Sequence, residues 1–144
     1  MAGGLTDFGA AAWLAALLSV GDPIPGYYVA LCSDEPGVAS DGTILAELEP
    51  ADPSYARQPY GVGDLNWDTS GNSITNLNEI DFGTPLTDWG PIAYFALCDS
   101  PVDGELYGFF EFANPQYVAV GFEMVIPAGG IVLSLASQED AITL

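Results

Sequence analysis

Residues 81–99 read DFGTPLTDWGPIAYFALCD, a turn-rich polar run that switches abruptly into a continuous apolar one. Pro85 and the Trp89-Gly90-Pro91 corner punctuate the entry, and residues 92–98 then supply β-favouring and small apolar side chains over a length that suits one central strand. A strand covered on one face alone would alternate apolar with polar more clearly. A near-copy lies earlier in the chain, where Tyr28-Val29-Ala30-Leu31-Cys32-Ser33-Asp34 mirrors Tyr94-Phe95-Ala96-Leu97-Cys98-Asp99-Ser100. These two are expected to form the core pair, with the strand of Leu31 in contact with the strand of Leu97.

From Gly26 onward the pattern is one of short β segments separated by clusters of Gly, Pro, Asp and Ser. Strands are predicted at 27–32, 44–48, 57–62, 65–68, 73–77, 80–82, 92–98, 105–112, 117–120, 123–126 and 131–136. Within 105–112, alternation puts Leu106, Gly108, Phe110 and Phe112 on one face and Glu105, Tyr107, Phe109 and Glu111 on a mixed one. Ahead of these strands, Thr6 or Asp7 caps a helix that runs to Leu18 and is stopped by Gly21-Asp22-Pro23. About a dozen apolar residues fall short of the roughly twenty that cross a bilayer, and no basic flank marks a signal peptide. The expectation is a short docking helix anchored by Phe8, Trp13, Leu14, Leu17 and Leu18; packing on the chain's own sheet is the commoner fate of such a helix, and an assembly interface is the sharper one. The chain then divides into a docking helix over 1–22, a sandwich over 23–137 and a tail over 138–144. The fold class is mainly β, a single antiparallel, jelly-roll-like β-sandwich with one short N-terminal helix.

Charge narrows the function. Among 144 residues, 20 are Asp or Glu and one, Arg57, is a cation, with no lysine or histidine, for a net charge of −19. Binding to phosphate backbones or anionic membrane surfaces needs clustered Lys or Arg, so no nucleic acid and no membrane insertion are expected. The same charge keeps the protein soluble and costs stability by self-repulsion, which salt relieves.

Catalysis is poorly provisioned. Without histidine or lysine the chain has no ordinary general base near neutral pH, no imidazole metal ligand and no Ser-His-Asp arrangement. Paired carboxylates could serve a glycosidase, but no pair is singled out. Asp64-Leu65-Asn66-Trp67-Asp68 begins like a calcium loop, yet Gly71 falls late and Thr75 stands where a bidentate Glu is required, so strand, turn and strand is the better reading. No catalytic residue, metal or cofactor is assigned. Cys32 and Cys98 read as buried thiols, with a disulfide open if their strands are neighbours. Arg57 is expected to form a structural ion pair with a nearby carboxylate.

Several short pieces of the chain follow one another in a telling order. The pieces are the helix from Thr6 to Leu18, Tyr28-Val29-Ala30-Leu31 with the acidic Asp34-Glu35-Pro36 loop, and Ser54-Tyr55-Ala56-Arg57-Gln58. They continue with residues 72–78 before Ile80-Asp81-Phe82, Trp89-Gly90-Pro91-Ile92 leading to Phe95-Ala96-Leu97, Leu106-Tyr107-Gly108, and Ile126-Pro127-Ala128-Gly129. That order resembles a family of small tailed-bacteriophage virion proteins of the tail-fibre, minor-tail or structural kind, and the resemblance implies a β-sandwich virion component with no catalytic residues to carry over. The expected function is a structural subunit, tail or tail-tip associated, assembled in the host cytoplasm and working through copies of itself and neighbouring virion proteins, with host-surface contact left open. The alternatives are an outer-capsid decoration protein and a carbohydrate-binding module that would stack sugars on Trp67, Trp89 or Tyr107.

Overall fold

The computed structural model of the chain describes residues 3–17, 26–37, 39–71 and 73–134. In chain order the elements are β1 (Gly3–Leu5), α1 (Asp7–Leu17), β2 (Gly26–Cys32), α2 (Gly42–Leu45), β3 (Gln58–Gly61) and β4 (Trp67–Ser70), followed by β5 (Ser73–Asn76), β6 (Ile80–Gly83), β7 (Gly90–Cys98), β8 (Leu106–Val118), β9 (Met124–Ile126) and β10 (Val132–Ser134). They build an antiparallel five-stranded sheet in the order β1-β8-β7-β2-β3, with a three-stranded sheet β10-β5-β4 and a two-stranded ladder β6-β9. The architecture is mainly β and sandwich-like.

The two matching motifs pair with each other. Tyr28 stands opposite Cys98, Val29 opposite Leu97, Ala30 opposite Ala96, Leu31 opposite Phe95 and Cys32 opposite Tyr94. Both faces of this pair are covered, which is why neither strand alternates. Val29, Leu31, Phe95 and Leu97 point into the larger core, shared with Ile80 and Phe82 of β6 and Ile126 of β9. Ala30, Cys32, Tyr94, Ala96 and Cys98 point the other way, against Leu45 of α2. Burying each large side chain of these cores contributes about 1.5–3 kcal/mol.

Several expectations need correction. Residues 44–48 do not form a strand: Asp41 caps α2, its Oδ1 accepting from Thr43 N–H at 3.0 Å and Ile44 N–H at 2.9 Å, so a second helix of one turn lies on the sheet. Residues 117–120 are not a separate strand, because β8 runs through Pro115 to Val118, and Trp89 N–H donates to Val118 O at 2.9 Å. Residues 64–66 are turn and the following strand starts at Trp67. Unforeseen too is β1, which pairs with residues 108–110 of β8.

The faces predicted for 105–112 also change. Between the pairs Leu97–Gly108 and Cys98–Leu106, β7 advances one residue and β8 two, leaving Tyr107 as a bulge. An extra residue reverses the alternation, so Leu106 and Phe109 share the smaller core while Tyr107 turns to the larger one with Phe110. Tyr107 and Phe109, both assigned to the mixed face, are buried on opposite sides of the sheet.

Candidate assembly surfaces

Helix α1 sits on that bulge. Thr6 N–H donates to Tyr107 O at 2.9 Å, and the Thr6 hydroxyl lies between the carbonyls of Leu106 and Tyr107 while accepting from Gly9 N–H at 3.0 Å. Thr6 is thus the cap that starts the helix and the peg that fastens it. Gly9 then allows the helix to press on the strand, because a Cβ there would lie 1.7 Å from Tyr107 O. The helix is apolar on nearly every side, and its outward residues include Phe8 and Leu14, 41 and 62 % exposed. Trp13 instead turns inward, packs against the larger core and lines a cavity of about 280 Å3 with Tyr27, Trp67 and Leu133. The Leu17 side chain and Leu18 lie outside the described residues.

Arg57 is placed by the end of an edge strand. Strand β3 pairs with β2 only up to Val29–Gln58, which leaves Leu31 N–H facing out of the ladder. The Tyr55 hydroxyl accepts from Leu31 N–H at 2.9 Å and donates to Glu49 Oε2 at 2.5 Å. Burial, with the Glu49 charge beside it, holds that phenol protonated far above its ordinary range. Arg57 Nη2 lies 2.6 Å from Glu49 Oε1, and both side chains are almost wholly buried. All five guanidinium N–H groups have acceptors: Nε and Nη2 reach Glu49, Nη2 also reaches Gly42 O at 2.9 Å, and Nη1 reaches Ser100 O at 3.0 Å and Asp103 O at 2.9 Å. With no donor left over, this guanidinium fastens α2, the 100–103 loop and the 49–57 segment to one another and has nothing to offer a ligand.

Asp52 does the same for the Trp89 corner. Its Oδ1 accepts from Ser54 N–H at 3.0 Å, and its Oδ2 from Leu86 N–H at 2.9 Å, Thr87 N–H at 2.8 Å and Trp89 Nε1–H at 3.1 Å. The Ser54 backbone N–H, with the Thr87, Ser54 and Trp89 donors, holds this carboxyl well below the usual carboxylate range. Asp-Pro-Ser is a turn-forming sequence that marks the Ser54 bond, but nothing local in it announces the loop more than thirty residues away.

The thiols are free and buried. Their strands are neighbours, yet the register sets Cys32 against Tyr94, and Cys98 stands four residues along, about 13 Å away, beyond the roughly 7 Å Cα separation a disulfide tolerates. Burial pushes the Cys98 thiol up to about 12 and Cys32 further, so neither is an available nucleophile.

Two of the three sugar-stacking candidates are withdrawn from solvent. Trp89 and Tyr107 are buried, and Trp67 is half-buried edge-on against Tyr60 with its indole N–H on Gly61 O at 2.8 Å. Among the described residues no group of three or more Cys, Asp or Glu is placed to hold a metal ion, and no helix is long and apolar enough to cross a membrane.

The chain's one Lys or Arg is used up internally, and Phe8 and Leu14 stand out from α1. The profile of the Podophage GP4 fiber I protein gp80 family matches residues 4–134, and the chain belongs to that family. It is therefore a tailed-phage fibre-type structural protein, with a tail-associated structural role in the virion. A comparison with curated proteins found no match.

Proposed function

We propose that the protein is a non-catalytic subunit at or near the tail tip, assembled in the host cytoplasm and held in the particle by contacts with copies of itself and with neighbouring virion proteins. One observation carries this reading: α1 is pinned to β8 at the bulge yet displays Phe8 and Leu14 to solvent. A helix apolar on all sides is normally covered on all sides. It is also the surface on which copies of so acidic a chain can meet, because Asp7 is its only charged residue. Phe8 and Leu14 are the outer anchors of that contact, Trp13 fixes the helix from within, and Leu17 and Leu18 continue the apolar sequence. The chain then works as a docking segment (1–22) that also lends β1 to the sheet, a sandwich (23–137) and a tail (138–144).

Light scattering on the full chain tests this. The wild type is expected as a symmetric multimer and Leu14→Glu with Phe8→Glu as a folded monomer; an unchanged oligomer would remove α1 as the contact. Finding the subunit on the outer capsid in an electron-microscopy map of the particle would replace the tail placement.

A further inference from the structure

Tyr117, near the end of β8, and Leu86, Val120 and Phe122, in the two loops where β8 ends and β7 begins, are 65, 71, 52 and 69 % exposed. The loops are tied together. Gly121 N–H donates to Pro85 O at 3.2 Å and Val120 N–H to Asp88 Oδ1 at 2.8 Å, while the Tyr117 hydroxyl lies 3.4 Å from Asp88 Oδ2. From the other side Asp52 takes the N–H groups of Leu86 and Thr87. Four large apolar side chains are thus presented on a fixed frame, which leaves little backbone ordering to be lost on binding.

The border of the patch is anionic. Asp88 lies between the two loops, and Glu123 follows Phe122, its carboxyl raised by Asp81 and Glu79 nearby. Arg57, the chain's one Lys or Arg, is buried against Glu49, so no side-chain cation of this protein can reach the patch. A second copy brought here would set carboxylates against carboxylates, whereas α1 offers copies a surface on which Asp7 is the one charged residue.

We propose that this patch docks a different virion protein, through a segment that lays apolar or aromatic side chains on Leu86, Tyr117, Val120 and Phe122 and sets Lys or Arg against Asp88 and Glu123. The assignment rests on the assembly reading above and names the chemistry of one neighbour within it. The complex is salt-sensitive, because its charged rim is open to solvent.

Particles assembled with Phe122→p-benzoylphenylalanine, illuminated and read by peptide mass spectrometry, test it, alongside particles carrying the same probe at Leu14. A link from position 122 to a Lys- or Arg-bearing segment of another virion protein is the expected result. In addition, Phe122→Ser and Leu86→Ser are expected to lower retention of the chain on salt-washed particles about tenfold, and Val102→Ser, an exposed apolar site elsewhere, to leave it unchanged. A link from 122 to a second copy or to an acidic segment, or no link from a chain that is in the particle and links through Leu14, overturns the docking assignment and leaves the assembly reading standing. A wild-type chain missing from purified particles overturns both.

Discussion

Ala30 lies directly opposite Ala96, and the pairing of β2 with β7 is symmetric about that point, with Tyr28 against Cys98 at one end and Cys32 against Tyr94 at the other. Two copies of one five-residue motif run antiparallel, so each position of one copy faces the mirrored position of the other. Both alanines are fully buried in the smaller core, with Leu45 of α2 and Leu106 of β8. Ala30→Leu is therefore expected to overpack this layer and cost about 1–3 kcal/mol. Urea denaturation measures it, and an unchanged midpoint would mean that α2 lifts off the sheet without penalty.

Removal of the Arg57 guanidinium tests the latch. Taking one partner from a buried pair leaves the other charge unpaired, so Arg57→Met and Glu49→Gln should each destabilise by about 3–5 kcal/mol. Arg57→Lys should fail to rescue, because a lysine has three donors and no planar fork with which to serve Glu49, Gly42, Ser100 and Asp103 together. In the double variant the loss should be well below the sum of the two, since no charge is left stranded. Strict additivity in denaturant titrations would show that the pair is not coupled.

The core pair and the helix could be read from the sequence because each rests on a local pattern: YVALC and YFALC lack alternation, and Thr6 precedes an unbroken apolar run. What could not be read depends on through-space relations or on a single inserted residue. Ile44 and Leu45 look like the start of a strand, and only Asp41 ahead of Gly42 and Thr43 hints at the capped turn that forms instead. The bulge at Tyr107 leaves no mark in ELYGFFEF, because it arises where Thr6 N–H takes the Tyr107 carbonyl. For the assembly surfaces the apolar residues of α1 were visible, but that Trp13 turns in while Phe8 and Leu14 turn out depends on where Gly9 meets β8. Leu86 and Phe122 were hidden because single apolar residues in loops resemble core residues until the loops are placed.

Asp52 gives the fold a defined acid sensitivity. Its folded-state pKa is depressed below the unfolded value of about 3.9, so its stabilisation is complete above that value and is lost as pH falls through the folded one. Asp52→Asn lacks the charge that the Leu86, Thr87 and Trp89 donors converge on. The melting-temperature gap between wild type and variant should be wide at neutral pH and narrow as pH drops below about 4. Trp89 fluorescence would report loosening of the loop in the same samples. A gap of constant width across that range would show that the carboxylate charge is not what holds the corner.

Gly9→Ala sets two effects of opposite sign against each other. Intrinsic propensity favours alanine over glycine inside a helix by about 1 kcal/mol, and residues 10–12 are already alanine. Against it stands the backbone of β8: the added Cβ would lie 1.7 Å from Tyr107 O and 2.5 Å from Tyr107 C, atoms that no rotamer change can move aside. The clash should win. The helix would have to rise from the bulge, weakening the bonds from Thr6 to Leu106 and Tyr107 and the contact between the Phe8 and Tyr107 rings at 5.4 Å. The expected outcome is a lower melting temperature, a changed Trp13 emission and a shifted oligomer distribution, while Gly4→Ala, with no atom within 4 Å of its new methyl group, changes none of these. A more stable Gly9→Ala variant would show that α1 is not seated on Tyr107, and with it would go the fixed helix on which the contact between copies depends.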